Sequence, residues 1–202
     1  MKFSLAALAL GVLAKASPVP EARGHDKRLL FTQTQHIPFE YTSTFNIIAT
    51  PDQVVGTDNV ATGGLPNAKG IFNFGLNSKE DIICYNITLL GFRGNYQSLA
   101  LTATHIHEGV KGKAGPPRIV FANPVGDDRR RNSVGCVKGP FLTGILTDGV
   151  DTGTGFTVKK IEDNPTNFFA DSHSSLAVPG AVRGQLDRGS RKGSIIDVHI
   201  SI

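Results

Sequence analysis

GIFNFGL (Gly70 to Leu76) and DIICYNITLL (Asp81 to Leu90) carry the alternation that decides the fold. Side chains of an extended chain point to opposite faces in turn, so Phe72, Phe74 and Leu76 share one face of the first stretch. In the second, Ile83, Tyr85, Ile87 and Leu89 share one face and Ile82, Cys84, Asn86 and Thr88 the other. No long 3.6-residue period competes with this pattern. Similar short apolar runs, bounded by Gly, Pro, Asn and Asp, recur at STFNIIAT (Ser43 to Thr50), SLALTATHIH (Ser98 to His107), RIVFANP (Arg118 to Pro124), GPFLTGILT (Gly139 to Thr147), NFFADSH (Asn167 to His173) and AVRGQL (Ala181 to Leu186). Some eight strands at this spacing predict an all-β fold, an antiparallel Greek-key β-sandwich or barrel. One short helical segment is expected in FTVKKIEDNP, with Thr157 as its cap and Asn164-Pro165 as its stop. Pro179-Gly180 reads as the turn joining the last two strands.

The chain has 202 residues and begins like a secretory signal peptide over residues 1–16: Lys2, an apolar run from Phe3 to Leu13, then the small residues Ala14 and Ala16. That run falls short of the roughly 20 apolar residues of a membrane-spanning helix, and no later run is longer. SPVPEARGHDKR (Ser17 to Arg28) ends in a dibasic pair and reads either as a pro-segment cut after Arg28 or as an N-terminal linker. The layout resembles that of a secreted protein of a filamentous fungus. Of the formal charge of +4, the first 28 residues contribute five Lys/Arg against two Asp/Glu, which leaves +1 for the rest. A near-neutral mature chain speaks against nucleic acid as its partner. After Leu186, residues 187–202 form a basic linker, DRGSRKGS, and the alternating IIDVHISI, which could add a strand.

Cys84 and Cys136 are the only cysteines, and in an oxidising compartment they are expected to pair. The bridge would close a loop of roughly 53 residues, worth about 4 kcal/mol in the chain-entropy model. With no third cysteine, thiol catalysis and thiolate metal sites are not expected. Asn86-Ile87-Thr88 is an N-x-T sequon on the more polar face of its strand, hence a candidate glycosylation site in a secreted protein. GDDRRRNS (Gly126 to Ser133) reads as a loop of opposed charges, either self-compensating in solvent or a contact patch for a protein or glycan.

The chemistry-bearing stretch is THIHEGVKGKAGPP (Thr104 to Pro117). On a strand His105 and His107 project from one face, roughly 6 to 7 Å apart at the backbone, close enough to converge on one ion. Leu99, Leu101 and Ala103 precede them on the same face, so the histidines are expected to close an apolar row. Together with DSHSSLAVPGAVRGQL (Asp171 to Leu186), this stretch resembles the CHRD domain, the module named from chordin. The residues that carry the resemblance are His105-Ile106-His107, Gly115-Pro116, His173, Pro179-Gly180 and the closing Gly180-Ala181-Val182-Arg183-Gly184-Gln185-Leu186. It implies a β-sandwich over about residues 43–186 and brings no settled activity.

A partial likeness to copper-zinc superoxide dismutases rests on His105-Ile106-His107-Glu108, Ala114-Gly115-Pro116, Asn123-Pro124, His173 and Arg183. Where those enzymes carry histidines and an aspartate for zinc, this chain has Pro117 and no His between 107 and 173. The likeness therefore implies no zinc site of that kind, and a copper site one nitrogen short, which a water, His36 or His199 could complete. Arg183 would then draw in superoxide.

Two readings follow. In the first, the protein is a secreted, extracellular or cell-wall-associated, non-catalytic binding module for a protein or glycan. His105 and His107 then order the sandwich rim, and Arg183 pairs with Asp171 or a loop carboxylate. In the second, His105, His107 and His173 bind a metal, with copper the cofactor and dismutase-like redox chemistry the activity. No Gly-x-Ser-x-Gly elbow, phosphate loop or EF-hand spacing supports another chemistry.

Overall fold

The computed structural model describes residues 40–187. The expected leader, pro-segment, His36, His199 and final strand lie outside the described residues. The described part contains eleven strands and one short helix. In chain order these are β1 (Ser43–Ala49), β2 (Lys69–Asn77), β3 (Ile82–Leu90), β4 (Thr104–Glu108), β5 (Pro117–Val120), β6 (Val125–Gly126), β7 (Arg130–Lys138), β8 (Leu146–Thr147), β9 (Val150–Asp151), α1 (Val158–Asp163), β10 (Phe168–Ser174) and β11 (Ala177–Gln185). A five-stranded sheet runs β1-β2-β3-β7-β6, a four-stranded sheet β11-β10-β4-β5, and β8 pairs with β9 alone. The pairings are antiparallel, and the chain is an all-β sandwich.

Alternation built the core as the sequence predicts. Register sets Phe45 opposite Phe74 and Phe74 opposite Tyr85, while Ile47, Phe72 and Ile87 form the next row. These inner faces meet Ile106, Ile119, Phe168, Ala170 and Val182 of the other sheet in one continuous core. Phe121, just past β5, seals it, its ring 5.3 Å from Phe74 and 4.8 Å from Tyr85. Each such side chain contributes about 1.5 to 3 kcal/mol by leaving water. On the outer face of the larger sheet Cys84 stands directly opposite Cys136, and the two form the expected disulfide. Asn86, two residues along the same face, is exposed.

Several local expectations are corrected. Leu99 and Leu101 do not extend the histidine row; the strand is confined to Thr104–Glu108, and both leucines are exposed in bends. Of GPFLTGILT only Leu146–Thr147 is strand, because Asp151 draws the backbone N–H groups of Thr143 and Gly144 out of any ladder. Only Asp127 to Arg129 of GDDRRRNS form the turn; Arg130 and Arg131 open β7, and the Arg131 guanidinium lies over Phe92 and Tyr96. Thr157 is the N-cap of α1 by position, yet its side chain makes no capping bond, and Asp81 accepts from Val158 N–H instead.

The last correction bears on the site. β10 and β11 are joined at Ser175 and Leu176, while Pro179 and Gly180 lie within β11. Ser174 pairs with Ala177 but Ser172 pairs with Val182, so Val178 to Ala181 bulge opposite the single residue His173. Gly180 has φ 146°, and a Cβ there would lie 2.9 Å from Val54 Cγ1, which is why the bulge carries glycine.

Candidate metal centre

His105 and His107 on β4 and Asp171 and His173 on β10 are two i, i+2 pairs, so each pair projects from one face of its strand. The β4/β10 register sets Asp171 opposite His105, and the two pairs meet on one side of the smaller sheet. Ile106 and Ala170 point the other way into the sandwich core. The four side chains thus occupy the outer face, yet they are covered: His105, His107 and Asp171 are 1, 9 and 4 % exposed. One ligand atom from each of the four falls within 4.8 Å of the others.

Each imidazole is held from behind by a backbone carbonyl. His105 Nε2 donates to Thr102 O (2.6 Å), His107 Nδ1 to Gly115 O (2.8 Å) and His173 Nδ1 to Val178 O (2.8 Å). A carbonyl can only accept, so the nitrogen facing it carries the proton and a neutral ring turns its lone pair to the centre. The centre-facing atoms are His105 Nδ1, His107 Nε2 and His173 Nε2, which lie 3.4, 3.4 and 3.1 Å from the Asp171 carboxylate. His105 Nδ1 and His107 Nε2 are 3.2 Å apart. Despite these short separations, Asp171 Oδ1 and His173 Nε2 are buried without an aligned hydrogen bond. Imidazole nitrogens and a carboxylate gathered this closely could hold a cation, whether a proton or a metal ion.

The charge balance follows from the same geometry. Burial opposes ionisation of Asp171, but the His107 and His173 charges and the bonds from His105 and His107 outweigh it and hold the carboxyl well below its usual range. Burial also opposes protonation of His173; Asp171 beside it and the Val178 carbonyl raise its pKa to about 9. At His105 burial wins over Asp171, and the pKa is lowered. Without a metal, the raised pKa of His173 favours a proton on that ring beside the Asp171 carboxylate. A divalent ion would displace that proton.

The loop between β4 and β5 supplies the carbonyl behind His107, and its glycine is sterically required: a Cβ on Gly115 would lie 1.8 Å from Glu108 O. Two side chains of β11 clamp the base of this loop. Arg183 donates to Val110 O, and Gln185 donates to Gly109 O, Thr166 O and Phe168 O. Arg183 stands opposite Asp171 in register, but its guanidinium lies 3.5 Å from the centroid of Phe169, on which His107 also stacks. It is 3 % exposed. The structure brings His105, His107 and His173 together with Asp171, and Gly115 and Gln185 hold the loop behind His107. Asp171-Ser172-His173 repeats the period-two spacing of His105-Ile106-His107, which is the signal that marks it.

An antiparallel sandwich whose smaller sheet carries three histidines and one aspartate on its outer face is the class this geometry defines. Residues 45–186 match the CHRD domain, and the chain belongs to that family. No curated protein and no solved structure matches it. CHRD domains occur in extracellular proteins, and among the described residues no helix is long and apolar enough to cross a membrane.

Proposed function

We propose that this chain is a secreted, extracellular CHRD module that binds one divalent transition-metal ion through His105, His107, His173 and Asp171. The observation that carries the reading is the orientation of the three rings: each outer nitrogen is tied to a carbonyl, and each inner nitrogen faces a buried carboxylate. Such outer partners fix ring tautomer and aim in metal sites. Imidazole and carboxylate donors suit zinc and copper. Secretion rests on the leader-like N-terminus and the family's occurrence.

The role is non-catalytic. Four protein donors fill a four-coordinate ion, and Arg183 is turned into Phe169 rather than offered to an incoming anion. The wider surface then serves as the binding face toward an extracellular protein or glycan, with Asn86 exposed for glycosylation on the opposite sheet.

Metal analysis of the secreted protein after exposure to zinc or copper and exhaustive dialysis tests the reading. One equivalent in the wild type and none in His105→Ala/His107→Ala is expected. Equal retention by both proteins would refute it.

A further inference from the structure

We infer that the ion is held in a closed, tetrahedral, zinc-type site that staples β4 to β10, an inference that rests on the metal-binding reading above. Its first support is the spacing of the donor atoms. A tetrahedron with bonds of about 2.0 Å, the length of zinc to imidazole nitrogen or carboxylate oxygen, has edges of roughly 3.3 Å. A square with the same bonds, the geometry copper(II) prefers, has edges of roughly 2.8 Å. The edges from His105 Nδ1 to His107 Nε2, from His107 Nε2 to Asp171 Oδ2, and from His173 Nε2 to Asp171 Oδ2 are 3.2, 3.4 and 3.1 Å. These three of the six edges sit nearer the tetrahedral value, and the four donor atoms all lie within 4.8 Å of one another, so the ion would draw the set together. Calcium and magnesium do not suit the set, since they take oxygen donors in larger number.

The second support is closure. Structural zinc sites are filled by four protein ligands, whereas catalytic ones keep a position for water. Here four protein donors converge, three of them on residues under 10 % exposed, and Phe169 stacks over the His107 ring. Each ring is also fastened to a different piece of chain: the Thr102 bend, the Gly115 loop and the Val178 bulge. An ion at the centre therefore ties two neighbouring strands and three irregular segments into one unit.

Cobalt(II) replaces zinc in such sites and reports its own geometry, because tetrahedral cobalt(II) absorbs visible light far more strongly than six-coordinate cobalt(II). The full-length secreted protein would be loaded with cobalt(II), its absorption recorded with and without azide, and its thermal unfolding followed with and without zinc. The expected result is one equivalent of cobalt with strong visible bands that azide leaves unchanged and zinc abolishes. Zinc at a thousandfold excess over its Kd should raise Tm by about 10 °C. Weak six-coordinate bands, bands that shift with azide, or a Tm that zinc does not move would overturn the closed site while leaving metal binding intact. Failure to retain cobalt, zinc or copper would overturn both.

Discussion

Asp171 is the residue on which the charge of the centre turns. It alone faces all three imidazoles, and its carboxyl lies well below the usual range because the His107 and His173 charges and the hydrogen bonds from His105 and His107 outweigh its burial. Asp171→Asn keeps the shape and removes the charge, and should weaken zinc binding by more than about 100-fold, read by competition with a chelating dye. The same change should lower the His173 pKa from about 9, because burial then opposes its charge without the Asp171 carboxylate to offset it, read by NMR titration of the metal-free protein. pH acts on the metal-free chain with two signs. His173 has a raised pKa, so its contribution to stability is full below about pH 6.5 and lost as pH rises through about 9. Asp171 has a lowered one, so its contribution holds above 3.8 and is lost as pH falls through the depressed folded value. Metal binding runs against the His173 proton. Calorimetry in buffers of differing ionisation enthalpy should therefore show about one proton released per ion near neutral pH. Zero protons released would mean that His173 is neutral before the ion binds or is not a ligand.

At the scale of the element, strands place the ligands and irregular segments hold them. Gly115→Ala sets a Cβ against the Glu108 carbonyl and displaces the carbonyl behind His107, with an expected loss of about 10 to 100-fold in metal affinity, measurable by the same dye competition. Cys84→Ser/Cys136→Ser unties β3 from β7 on the outer face and should cost about 2 to 5 kcal/mol in urea unfolding with little change in metal affinity, since the bridge lies in the other sheet. The long strands were legible because each buries one face, as in Phe72, Phe74 and Leu76. The His105/His107 pair was legible for the same period-two reason. Leu99 and Leu101 misled because hydrophobicity alone cannot tell a strand from a bend that leaves its leucines exposed. Pro179-Gly180 misled because the dipeptide suits a bulge as well as a turn; only the register, with Ser174 opposite Ala177 and Ser172 opposite Val182, separates the two. The period-two spacing puts Asp171 on the His173 face, but its place beside His105 depends on pairing β10 with β4, a contact between residues 66 positions apart that no local pattern encodes.

Across the whole molecule the two sheets divide the work. The five-stranded sheet carries the disulfide and exposes Asn86 on its outer face, and the four-stranded sheet carries the proposed metal centre on its own. Asn86→Gln in the secreted protein should remove one glycan, seen as a mass shift, and leave metal affinity unchanged. The central claim is that one ion sits among His105, His107, His173 and Asp171. Anomalous diffraction from a crystal grown with zinc, recorded on both sides of the zinc absorption edge, tests it most directly. The account predicts a single peak about 2.0 Å from His105 Nδ1, His107 Nε2, His173 Nε2 and one Asp171 oxygen. A peak elsewhere on the chain, or none at that centre, would contradict it.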